Sequence, residues 1–222
     1  MRTDLIRKTA LTAAGIAATA TGIAAPAIAA HAAPATAAVK TTAVHGDRKP
    51  AGDRQLDVRY EAQPNFYYCG PAAARNALSV QGKAISVDAM AREMGTTTEN
   101  GTDSINDITP VLNKETGRND AYRSVELPTG KADTKQTDTL RADVVRTVDQ
   151  GRAVVANIAG TTSDTTGTTH SFEGGHYISV VGYHDNGRIV TIADSANPDQ
   201  ASYQITIDNL ADWIATRGYA TS

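Results

Sequence analysis

Between residues 137 and 150 the apolar side chains of Leu140, Val144, Val145 and Val148 recur at intervals of three and four. That spacing puts them on one face of a helix, which Gly151 closes. Three further helices are predicted ahead of it. Residues 70–80 open with Gly70 and Pro71, where proline has no N–H to waste, and continue through the strong helix formers of residues 72–78. Residues 86–94 take Ser86 as N-cap and Gly95 as stop, and a third helix starts at Thr102 or Asp103, runs to about Glu115 and ends at Gly117.

The pattern changes in the second half. A short strand is predicted at residues 122–125, followed by apolar runs of strand length at 153–158, 176–183 and 188–194, the last two flanking Asp185-Asn186-Gly187. Residues 208–216 form a last amphipathic segment with Trp213 turned inward. Helices first and antiparallel strands later predict the α+β class. The Thr/Ser/Gly-rich stretch at residues 160–175 has no periodicity and reads as a loop, functional or disordered.

The N-terminus carries a different pattern. Arg2, Arg7 and Lys8 precede an uncharged run over residues 9–30, and Ala27-Ile28-Ala29 and Ala30-His31-Ala32 both fit small-x-small cleavage. Residues 1–30 therefore read as a secretory signal peptide using the general route, with a secreted product that has no membrane attachment after cleavage. Residues 31–54, rich in Ala, Thr, Pro and Lys, read as a flexible mature tail or short propeptide, and residues 55–222 as one domain, expected to be a monomer. A net charge of −3 without a Lys/Arg cluster argues against nucleic-acid binding. The single cysteine cannot form an intramolecular disulfide; in a secreted chain it points to a reactive thiol or an intermolecular bridge.

That cysteine, Cys69, falls at the predicted start of the first helix, where unpaired N–H groups and the helix dipole favour the thiolate. A nucleophilic thiol needs a base, an orienter for the base and donors for an oxyanion. Of the five histidines, His31 and His45 lie in the tail, His170 in the expected loop and His184 at the hairpin tip. His176 remains, at a strand start behind Gly174-Gly175, two residues that let a substrate backbone pass close.

The orienter depends on hairpin register. A three-residue turn over residues 185–187 pairs His184 with Arg188, sets His176 opposite Ala196 and brings Asp194 onto the same face; a two-residue turn inverts the pleat and removes it. Asn197 is the fallback and Asp185 the poorest choice. Gln63, six residues before the thiol, can offer a side-chain amide beside the Cys69 N–H as oxyanion donors. Phe66, Tyr67 and Tyr68 read as core packing, and Asp103 with Asp107 as a solvated helix face.

Gln63, Cys69-Gly-Pro-Ala-Ala, Gly-Gly-His176-Tyr-Ile-Ser-Val-Val-Gly-Tyr and Ile-Ala-Asp194, in that order, resemble the papain-like cysteine peptidases of the bacteriocin-processing, double-glycine type, in particular its stand-alone secreted branch. The resemblance implies a papain-like fold whose helical half carries the nucleophile and whose antiparallel sheet carries the base. It makes Cys69 the nucleophile, His176 the base and then acid, Asp194 the orienter and Gln63 the oxyanion donor, acting on a peptide or protein without cofactor or metal. The exporters of that family carry membrane helices and an ATPase that this chain lacks, so cleavage after double glycine does not carry over. Acyl transfer, cell-wall amide cleavage and a catalytically silent binding module are the alternatives.

Overall fold

The computed structural model describes residues 52–222. The expected signal peptide, most of the expected tail, and His31 and His45 lie outside the described residues.

In chain order the elements are β1 (Arg54–Gln55), α1 (Cys69–Ser79), α2 (Val87–Glu93), α3 (Ile105–Thr116), β2 (Arg123–Glu126), α4 (Thr134–Asp149), β3 (Val154–Ser163), β4 (Thr169–His184), β5 (Ile189–Ala193), β6 (Ser202–Thr206), α5 (Ile207–Ile214) and β7 (Gly218–Thr221). The helix ends follow local chemistry. Ser86 caps α2 by accepting from the Ala89 N–H, Ser104 with Asp107 and Asp133 with Gln136 close capping boxes on α3 and α4, and Gly117 ends α3 in the left-handed region at φ 72°. Asp107, read as part of a solvated face, is thus a cap. β1, β6 and β7 had no counterpart in the sequence reading, and β1 includes Arg54, the last residue of the expected tail.

The strands form one antiparallel sheet in the order β2-β7-β3-β4-β5-β6, with β1 added against β4. Helices cover both faces, which is why the central strands read as continuous apolar runs. Leu78, Met90, Ile108 and Leu112 of α1–α3 pack with Val155, Tyr177 and Val181 on one side. On the other, Leu140, Val144, Leu210 and Trp213 of α4 and α5 pack with Ile158, Ile178, Val180 and Ile192. Each of these large side chains contributes about 1.5–3 kcal/mol when fully buried.

The expected loop at residues 160–175 is corrected: it is a strand hairpin. Gly160 to Ser163 of β3 pair with Phe172 to Thr169 of β4, and the Asp164 carboxylate accepts the N–H groups of Thr166 and Thr168 to close the turn. Threonine and serine suit a pleated, partly exposed surface but supply no apolar alternation for a reader to find. His170, placed in that loop, is a buried strand residue paired with Asp164.

The β4–β5 turn is also corrected, being one residue longer than expected. His184, Tyr183 and Gly182 pair with Ile189, Val190 and Thr191, so His184 does not face Arg188. A bulge at Val181 then absorbs the difference, and Val180 and Ser179 pair with Ile192 and Ala193. Carried onward, this second register sets His176 across from Ala196 and leaves Asp194 on the face of His176, the outcome of a three-residue turn reached by another route.

Candidate active site

Cys69 is the first residue of α1 and only 9% exposed. Its N-cap, Tyr68, supplies no side-chain bond; the approach to the helix is instead built by Asn65, whose side chain accepts from the Tyr67 N–H and whose carbonyl accepts from the Tyr68 N–H. Gly70 is required by packing, since a Cβ there would lie 2.5 Å from Thr102 Oγ1 and 2.9 Å from Thr102 Cβ. The helix is tied to the sheet by Ser179, whose hydroxyl donates to the Ala73 carbonyl at 2.7 Å. The helix bearing Cys69 and the strand bearing His176 are thereby joined directly.

His176 is buried, and its Nε2 lies 2.7 Å from Asp194 Oδ1. This leaves Nδ1 free for the Cys69 sulfur, which is close enough to raise the His176 pKa. Phe172 stacks on the ring with centroids 4.0 Å apart and planes 17° apart, fixing its orientation. Burial pulls the His176 pKa down, but the bonds to Asp194 and Cys69 outweigh it and push the value up to about 9.

Asp194 is equally enclosed. Its Oδ1 also accepts the Ala196 N–H at 2.9 Å, and its Oδ2 accepts the Tyr203 hydroxyl at 2.8 Å. Burial alone would raise its pKa; the donors, His176 first among them, hold it below the usual carboxylate range. Burial and the Asp194 charge drive the Tyr203 phenol upward, so it remains a donor. His170 stacks on Tyr203 with centroids 3.9 Å apart and braces it from behind.

Thus Cys69, His176 and Asp194 are brought together, while the side chains of Asn197 and Asp185 are elsewhere: Asn197 caps the short turn at Pro198–Gln200 and Asp185 pairs with Arg188. Gln63 is held beside the Asp194 segment. Its N–H donates to the Ser195 carbonyl, its Oε1 accepts from the Ser195 hydroxyl, and its Nε2 donates to the Asn65 carbonyl. One amide N–H of Gln63 is left uncommitted. Phe172 and Tyr203 are missing from the sequence reading. Phe172 lay in the supposed loop, and Tyr203 on an unrecognised strand whose only signal is the alternation of Tyr203 with Ile205.

A cleft of about 530 Å³ opens in front of Cys69. Phe66 and Tyr67, the loop at residues 98–103, Gly174-Gly175 and Arg217 form its walls. The expectation that Phe66 packs in the core is corrected: it is 82% exposed and stands edge-on to Tyr67 at the cleft. Asn157 donates to the Tyr177 hydroxyl, which donates to the Thr102 carbonyl, and together they form the cleft floor. Among the described residues no cluster of three or more His, Cys, Asp or Glu could hold a metal ion.

No curated protein matches the chain. Among solved structures, a C39-like peptidase from Bacillus anthracis is similar at 11% identity and a TM-score of 0.52, covering 77% of this chain and 97% of that one. The double glycine motif protease of an AMS/PCAT transporter, solved with a leader peptide, is similar at 12% identity and 0.46, covering 76% and 92%. The peptidase domain of Streptococcus ComA gives 12% and 0.45, covering 76% and 97%. The α+β, papain-like peptidase fold expected from the sequence is the one found. The model of the Peptidase_C39-like family matches residues 55–221, nearly all of the described domain, and the chain belongs to that family.

Proposed function

We propose that the chain is an exported cysteine peptidase in which Cys69, His176 and Asp194 form the catalytic triad. The observation that carries this reading is the placement of His176, bonded through Nε2 to Asp194 and close enough to the Cys69 thiol for the two to interact. The Cys69 thiol passes its proton to His176 Nδ1 and its sulfur attacks an amide carbonyl carbon, the carbonyl electron pair moving onto oxygen. The Cys69 N–H, unpaired at the helix start, and the spare amide N–H of Gln63 hold that oxyanion. Collapse expels the amine, which takes its proton from His176 Nδ1, and leaves a thioester. His176, now neutral, removes a proton from water, and the hydroxide releases the acid and restores the thiol. Asp194 keeps Nε2 protonated throughout, so that Nδ1 faces the sulfur. The sequence at residues 1–30 supports export, and the uncommitted cleft in front of the sulfur supports a peptide substrate.

The test is the rate at which iodoacetamide alkylates Cys69 at pH 7, read by intact mass, in wild type and His176→Ala. A paired thiol should react about tenfold or more faster than the unpaired one. Equal slow rates in the two proteins would remove the catalytic reading and leave a binding module of peptidase shape.

A further inference from the structure

The cleft is lined by one cationic side chain that the reaction does not use. Arg217 lies in the link between α5 and β7, half-buried, and its guanidinium makes no hydrogen bond or ion pair among the described residues. A guanidinium carries five donors in a planar fork, and leaving them unspent in a partly dry site is costly unless a ligand takes them. The nearest acidic residues on the same walls, Glu99 and Asp103, are exposed and make no ion pair with it.

The backbone around Arg217 is fixed. Its N–H donates to the Ile214 carbonyl and its carbonyl accepts from Leu127, both at 2.8 Å. The preceding Thr216 is held at φ 70°, a left-handed conformation unusual for a β-branched residue, with its N–H on the Thr129 carbonyl. The side chain lies over Gly175. A Cβ on Gly175 would come within 3.2 Å of Arg217 Nη2 and 3.3 Å of Nη1, and Gly175 itself sits at φ 95°, where other residues are strained. Arg217 thus forms part of the wall directly beside the residue that precedes His176.

Its position along the cleft is equally specific. Arg217 lines the cleft that contains Cys69 and also a second hollow of about 340 Å³ bounded by Ser104, Leu127 and Gly218, so a chain leaving Cys69 along Gly174-Gly175 meets it before the second hollow. Charge at that point is felt by the floor, since Arg217 opposes the upward shift of the Tyr177 phenol.

We infer that Arg217 is a specificity-determining residue that binds a carboxylate of the peptide substrate, its fork taking both oxygens of an acidic side chain or of a free C-terminus. The inference rests on the peptidase reading for its substrate class but is tested without turnover. Cys69 is alkylated with iodoacetamide in the presence of N-acetylated, C-amidated alanine hexapeptides, each with one Glu or one Gln at successive positions. A further peptide of alanine alone ends in a free acid. An extended hexapeptide spans about 20 Å, enough to cover either side of the sulfur.

In the wild type, one or two adjacent Glu positions should protect Cys69 about tenfold better than their Gln counterparts. That difference should vanish in Arg217→Gln and persist in reduced form in Arg217→Lys. Protection by the free-acid peptide alone would assign the carboxylate to a substrate C-terminus. Equal protection by Glu and Gln peptides in wild type, together with none by the free acid, would overturn the inference, as would an acidic preference that survives Arg217→Gln. Failure of the peptidase reading shows separately, as a rate without peptide that is the same in His176→Ala.

Discussion

Two aspartates of this domain are almost wholly buried, and they are buried for opposite reasons. Asp143 on α4 is 2% exposed and meets Arg123, Arg146 and the Tyr219 hydroxyl. Asp194 is 3% exposed and meets His176, the Ala196 N–H and the Tyr203 hydroxyl. Both have a tyrosine donor and a full set of hydrogen bonds. The difference is the cation. The two arginines are charged at any accessible pH and reach water themselves, with side chains 54% and 41% exposed. The histidine is enclosed and can lose its proton. A carboxylate answered by fixed cations fastens helix to sheet, whereas one answered by a titratable ring can take part in proton transfer.

Removing the titratable answer should have the largest effect. Asp194→Ala is expected to lower peptide hydrolysis by about 10²-fold or more, because the imidazole loses both its orientation and the charge that keeps it protonated. Its stability profile should change as well. The raised His176 pKa contributes stability that is complete below about 6.5 and is lost as pH climbs toward about 9. Denaturant midpoints of the wild type should therefore fall across that interval, and Asp194→Ala should flatten the slope. A slope that survives in the variant would place its origin elsewhere.

Asp143→Asn should act on the other side of the comparison. The loss of charge-assisted bonds to both arginines should cost about 2–3 kcal/mol in denaturant unfolding, while the slope between pH 6.5 and 9 and the alkylation rate of Cys69 in the folded protein stay as they are. A drop in that rate would show that the two aspartates are not separate in role. The smallest change should come from Tyr203→Phe, which takes one donor from Asp194 and should slow hydrolysis about fivefold. Its signature is a higher His176 pKa in the pH profile of hydrolysis, because Asp194 no longer shares its charge with the phenol, and an unchanged profile would mark Tyr203 as packing alone.

What could be read without coordinates divides along the same line between local and distant causes. The caps at Ser86 and Gly117, the run of helix formers after Pro71 and the apolar spacing of α4 are decided within a few residues, and the elements appear where those signals put them. Cys69 was singled out because it opens such an element, and His176 and Asp194 because they stand at the ends of the expected strands, although His176 lies inside β4. Phe172 and Tyr203 escaped because they matter only through what lies across the sheet. The hairpin at Gly160–Phe172 escaped because its pairing surface is made of hydroxyls, with no apolar alternation. The turn after His184 was taken as one residue too short; the bulge at Val181 cancels that error at the site, and no local signal announces it.

The bulge also has a bearing on where the chain can be cut. Its carbonyl does not look for a partner on β5; it accepts the Leu56 N–H at 2.9 Å and is approached by the Gln55 amide, while Arg54 and Gln55 pair with Tyr183 and Gly182 directly after it. Three residues at the front of the domain thus pin the irregularity that keeps Asp194 in step with His176. The N-terminal boundary of the domain is consequently fixed: a cut before Arg54 would leave the pin in place and a cut past Leu56 would release it, so the front limit of an intact site is written into the far end of its hairpin.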